Sequence, residues 1–99
     1  MAMHVIAKSA LTKFWEKHPD AEGPLRTWFH VMRKESFIDF PSLRGKFGSV
    51  DYVDGVFVFN IGGNKYRLIA GICYNQKRVY ILYVLTHEEY ISIDWKRRI

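Results

Sequence analysis

Apolar and polar residues change period twice along this 99-residue chain. A short apolar run, Met3 to Ile6, predicts a first strand. From Ser9 to Lys17 the spacing becomes helical. Leu11, Phe14, Trp15 and His18 lie at i, i+3, i+4 and i+7, which is one helix face. His18-Pro19-Asp20 ends this helix, because a residue before proline avoids the α region. Asp20 is placed to cap a second helix that tolerates Pro24 in its first turn. Leu25, Trp28, Phe29 and Met32 repeat the spacing, so Trp15, Trp28 and Phe29 are expected to pack in a core. Glu35–Gly48, with Pro41, Gly45 and Gly48, reads as a connecting loop. Its two cations, Arg44 and Lys46, are candidates for contact with a phosphate.

From Ser49 the period becomes two. Strands are predicted at Val50–Val53, Val56–Ile61, Lys65–Tyr74 and Val79–Leu85. The turns between them are Asp54-Gly55, Gly62-Gly63 and Asn75-Gln76-Lys77, short enough to imply antiparallel neighbours. Thr86 followed three residues later by Glu89 is a capping box, so a last helix starts there. The order of elements predicts an α+β fold. Two N-terminal helices pack on a mostly antiparallel sheet, with a short C-terminal helix, and the second sheet face is left free.

Length and charge narrow the picture. Ninety-nine residues predict a single domain spanning 1–99. The net charge of +5 is uneven: eight basic and seven acidic residues in 1–59 give +1, and seven basic and three acidic in 60–99 give +4. A basic half suits a polyanionic partner, nucleic acid being the commonest, although the same charge also serves solubility. No apolar run reaches the roughly 18 residues of a membrane span, and the first residues do not form a secretory signal. The single Cys73 forms no intrachain disulfide and fits a reducing compartment. The expectations are therefore a cytoplasmic chain without a membrane partner, and a core thiol at Cys73.

The candidate chemistry gathers around the Gly62-Gly63 hairpin. Strand alternation puts Lys65 and Arg67 on one face, and Tyr66 and Leu68 on the other. Two cations in an apolar strand either lay their stems along the sheet with wet heads, or hold a phosphate. Arginine brings a planar fork to phosphate oxygens and lysine a point charge. His87 is suited to general acid–base work near neutral pH. Tyr90 follows three residues on and shares its helix face. It can stack on a base, donate its hydroxyl or pack. His4, His18, His30 and His87 are dispersed without ligand spacing, so neither a metal site nor a cofactor is expected. The Gly-Gly turn lacks the frame of a phosphate-cradling loop. An arginine, a histidine and an aromatic ring are the parts of metal-free RNA cleavage, in which the ribose 2′-hydroxyl attacks its own phosphate.

Three stretches carry a family resemblance: Phe59-Asn60-Ile61-Gly62-Gly63-Asn64-Lys65-Tyr66-Arg67-Leu68-Ile69, Val79-Tyr80-Ile81, and Thr86-His87-Glu88-Glu89-Tyr90. With Phe14-Trp15-Glu16-Lys17-His18-Pro19-Asp20-Ala21, they resemble the HigB toxins of bacterial type II toxin–antitoxin modules, within the broader RelE/ParE-like group. The resemblance implies a RelE-like fold and a ribonuclease that cleaves mRNA, in many relatives on the ribosome. It implies control by a helix-turn-helix antitoxin, with operator DNA met only through the antitoxin complex. It places catalysis on Arg67, His87 and Tyr90, with Asn60, Asn64 and Lys65 as further matching positions. Leu82 stands where relatives often carry a basic residue, and Ile91 where they often carry an acidic one. Toxins of this fold group that poison DNA gyrase, and a plain RNA-binding module, are the competing expectations.

Overall fold

The computed structural model describes residues 3–6 and 8–92. Among the described residues the elements run β1 (His4–Ile6), α1 (Ser9–Lys17), a 3-10 turn (Pro19–Ala21), α2 (Glu22–Lys34), α3 (Phe40–Lys46), β2 (Asp51–Val53), β3 (Val56–Ile61), β4 (Tyr66–Cys73), β5 (Arg78–Thr86) and α4 (His87–Ser92). The five strands form one sheet in the order β1-β5-β4-β3-β2. β1 runs parallel to β5, and the other neighbours are antiparallel. The expected α+β class, with a mostly antiparallel sheet, is what the chain adopts. The expected basic tail, Lys96-Arg97-Arg98, lies outside the described residues.

α1 ends where the sequence says it must: His18, before Pro19, leaves the helical region at φ −131°, ψ 79°. Asp20 does not cap α2. The 3-10 turn runs straight into the helix, whose N-terminus has no side-chain cap. The carboxylate of Asp20 is engaged elsewhere. The Glu35–Gly48 segment is not a plain loop either, since it contains α3. Asp39 accepts a hydrogen bond from the Ser42 backbone N–H at 2.9 Å, while Ser42 Oγ accepts from the Asp39 N–H at 3.3 Å. Pro41 occupies the first turn, where its missing N–H costs nothing. Local capping thus starts a helix too short for its apolar spacing to show.

The main core lies between the helices and one sheet face. Leu11, Leu25, Trp28, Met32 and Leu43 meet Phe57, Phe59, Leu68, Ala70, Val79 and Ile81 there. Trp28 and Phe59 pack edge to face at 5.5 Å. Trp15 and Phe29 are only half-buried, so the expected core role holds in full for Trp28 alone of those three. Cys73, at the end of β4, is also only half-buried.

The far face of the sheet is not bare. Val56, Val58, Ile69 and Leu85 form a second buried cluster there, with Tyr83 and Tyr90 packed against it. A bulge makes this possible. Ile69 pairs with Tyr83 but Ala70 pairs with Ile81, leaving Leu82 as an extra residue on β5. The alternation along β5 therefore switches phase. Val79 and Ile81 face the helices, whereas Tyr83 and Leu85 face away.

Candidate active site at the β3–β4 hairpin

The β3–β4 turn sets the geometry. Gly62 and Gly63 have φ +61° and +70°, left-handed values that side-chain-bearing residues rarely adopt. The turn extends through Lys65, so β4 begins only at Tyr66. This corrects the expectation that Lys65 and Arg67 share one face. Lys65 is not part of the strand, and its ammonium reaches Asp20 on the helix side at 3.0 Å.

Arg67 occupies the far face. It pairs across β3 with Asn60 and across β5 with Leu85. Its side chain is half-buried, and Nη1 donates to the carbonyl oxygens of Asn64 at 3.2 Å and Tyr66 at 3.1 Å. The guanidinium carbon lies 5.5 Å from the ring centre of Tyr90. Two carbonyls and an aromatic face thus hold this cation in place, and both carbonyls engage the same nitrogen.

His87 begins α4. Its backbone N–H donates to the Lys65 carbonyl at 2.9 Å, which ties the helix start to the hairpin turn. The expected capping box is present: the Thr86 N–H donates to Glu89 Oε1 at 2.9 Å, and the Glu89 N–H donates to Thr86 Oγ1 at 3.1 Å. The imidazole is exposed and shares a shallow cleft with His18, Asp20, Lys65, Tyr66, Thr86 and Glu88. Arg67 and Tyr90 are not part of that cleft's wall. The hairpin tip therefore carries two groups of side chains. Arg67, Tyr90 and Asn60 lie on the far face, and Lys65 and His87 lie on the flank beside the helices. They are joined because Tyr66, next to Arg67, pairs with Thr86, next to His87.

Sequence reasoning missed the role of Asp20. Its carboxylate accepts hydrogen bonds from the Tyr66 hydroxyl and from Lys65 Nζ. The Tyr66 bond, and after it the Lys65 bond, hold the carboxyl below its usual range. The same bond to Asp20 raises the Tyr66 phenol. The missing signal was long-range: these partners stand 45 and 46 residues apart. Beside them His18 stacks on Phe14 at 4.5 Å and tilts against Tyr66 at 5.6 Å.

The remaining candidates lie apart. Arg44 and Lys46 sit on α3, which packs on the helix-side face through Phe40 against Phe57. Arg67 points to the opposite face. Arg44 donates to the Gly48 carbonyl at 3.2 Å, and Lys46 approaches Glu35 at 3.7 Å. Leu82 and Ile91 are both exposed. Among the described residues no group of three or more His, Cys, Asp or Glu side chains is placed to hold a metal ion. No described helix is long and apolar enough to cross a membrane.

Comparison with known proteins places the chain in a family. Residues 21–93, from the end of the 3-10 turn onward, match the family model of the HigB toxin, a RelE-like toxic component of a toxin–antitoxin system. The chain is 36% identical over 91 residues to the mRNA interferase toxin HigB of Escherichia coli (strain K12), a match covering 89% of this chain and 88% of that protein. The mRNA interferase HigB of Shigella flexneri matches to the same extent, and that of Escherichia coli O6:H1 is 29% identical over 91 residues. With the family model spanning most of the chain and relatives aligning along nearly all of it, the chain belongs to the HigB family of RelE-like toxins.

Proposed function

We propose that this chain is the toxin of a type II toxin–antitoxin module and cleaves mRNA as a metal-independent endoribonuclease in the cytoplasm. A helix-turn-helix antitoxin of the HigA kind is its inhibitor, and message on the ribosome its substrate. Operator DNA is met only through the antitoxin complex. The observation that carries this reading is Arg67. Its guanidinium is pinned by two carbonyls and the Tyr90 ring at the tip of the hairpin that also anchors His87.

In the proposed reaction the ribose 2′-oxygen forms a bond to phosphorus and the bond from phosphorus to the 5′-oxygen breaks. His87 takes part in the proton transfer that removes the 2′-hydroxyl proton or supplies one to the departing 5′-oxygen. Arg67 stabilises the charge that grows on the non-bridging oxygens. A fixed donor is strongest in this role because it need not reorganise during the step. Tyr90 stacks on a neighbouring base or assists the proton transfer, and Lys65, Asn60 and Asn64 contact the backbone nearby. The products are a 5′-hydroxyl and a 2′,3′-cyclic phosphate, which becomes a 3′ phosphate where water then breaks the bond from phosphorus to the 2′-oxygen. Mapping transcript ends after induction tests this. New 5′-hydroxyl ends within coding sequence are expected, whereas intact transcripts, or ends carrying 5′ phosphates, contradict it.

A further inference from the structure

The outer surface of the helix layer differs from its inner one. α1 and α2 turn Leu11, Leu25, Trp28 and Met32 inward and leave Trp15 and Phe29 half-buried outside. Each of these rings carries cations. The Arg26 guanidinium carbon lies 4.9 Å from the Trp15 ring centre. Lys8 Nζ and the Arg33 guanidinium carbon lie 4.7 Å and 5.7 Å from that of Phe29. Two hollows adjoin here, sharing Lys8 and Phe29. One also takes in His4 and Arg33, the other Trp15, Arg26 and His30. Among the described residues neither hollow has a carboxylate in its wall. Glu22 engages Arg26 through Nε at 2.8 Å, a bond that does not use the two terminal nitrogens. Arg26 and Arg33 are seven residues apart on α2, about 10 Å along the axis.

We propose that this face is a second RNA-binding surface, for a single-stranded segment away from the scissile bond. Lys8, Arg26 and Arg33 meet phosphates, while bases stack on the exposed parts of Trp15 and Phe29 and on the guanidinium planes. Non-specific single-strand binders combine these two features, a cationic track and stacking platforms. An acidic peptide satisfies the cations but leaves the rings without a role. The charge fits RNA, since Lys8, Arg33 and two histidines line the hollows and the one carboxylate printed against these cations is Glu22, on Arg26. The surface lies on the layer opposite Arg67, so it adds hold on the RNA rather than chemistry. The proposal rests on the reading that the chain acts on RNA.

Fluorescence anisotropy of a labelled 2′-O-methyl RNA tests it, because that RNA lacks the attacking hydroxyl and stays intact. The full chain is compared with Lys8→Gln/Arg33→Gln, with Lys13→Gln/Lys17→Gln (the same charge loss elsewhere on α1) and with Phe29→Leu. The first pair is expected to weaken binding about 10-fold or more and to flatten the log–log salt dependence by about 1.4, roughly 0.7 per lost phosphate contact on a single strand. Phe29→Leu is expected to weaken binding by about 5-fold or more with the salt slope unchanged. Equal losses in the two double variants, or unchanged binding in Phe29→Leu, overturn the proposal. Failure of the RNA-cleavage reading looks different: unmodified mRNA stays intact with wild-type protein while the patch still governs binding.

Discussion

Strand β4 has two faces with opposite contents. Tyr66, Leu68 and Ala70 point to the helices and are fully packed in the main core. Arg67 and Ile69 point the other way, and Ile69 belongs to a cluster of four buried residues among those described. Among the described residues the helix-side core buries no charged group, and Asp20 bonds Tyr66 at its rim. The far side places a half-buried guanidinium against Tyr90 at the edge of a small apolar patch. The large core can afford a costly residue on the opposite face, because it supplies the rigidity that keeps a cation in one geometry. Stability and chemistry are thus separated by a single residue step along one strand.

The largest expected effect lies on the packed face. Leu68→Ala should cost about 2–5 kcal/mol of stability in chemical denaturation, because its side chain is fully enclosed and its loss opens a cavity. A loss under about 1 kcal/mol would remove the distinction between the faces. His87→Ala should leave stability within about 0.5 kcal/mol, since the side chain is exposed, yet reduce mRNA cleavage about 100-fold or more. Thr86→Ala should cost about 1 kcal/mol by removing the hydroxyl that caps α4. It should lower cleavage moderately, read as a parallel fall in melting temperature and rate. The smallest effect concerns pH. Asp20 has a depressed pKa in the folded chain, so its bonds to Tyr66 and Lys65 contribute fully above the unfolded value near 3.9 and are lost as pH falls below it. The stability gap between wild type and Asp20→Ala, measured by denaturation, should be open at pH 7 and close towards pH 3. A gap that widens in acid would contradict the clamp.

Much of the fold was legible because its signals are local. The α1 face, the proline stop at Pro19, the Gly62-Gly63 hairpin and the Thr86–Glu89 box each depend on residues within a few positions of one another. The Leu82 bulge was not legible, since Val79–Leu85 is an unbroken apolar run with no alternation to interrupt, and only pairing with β4 shows which residue is extra. Helix α3 was overlooked for a different reason. Its start lies in Asp39 and Ser42, while Pro41 and Gly45 within it signal a loop. For the site, Tyr90 meets Arg67 on the far face, whereas His87, which the helix spacing placed beside Tyr90, lines the flank cleft instead. Lys65 does not join Arg67 and Tyr90, because the turn takes up one more residue than alternation counted. Asp20, which holds Lys65, was invisible as a partner across so long a separation.

The central claim is that Arg67 occupies the far face for catalysis and not for stability. Single-turnover cleavage of a programmed mRNA by Arg67→Ala, alongside its chemical denaturation, tests this most directly. The account predicts an unfolding midpoint close to that of wild type and a cleavage rate lower by about 100- to 1,000-fold, the scale of losing one fixed donor to a developing anion. Wild-type cleavage by a folded Arg67→Ala chain would contradict it.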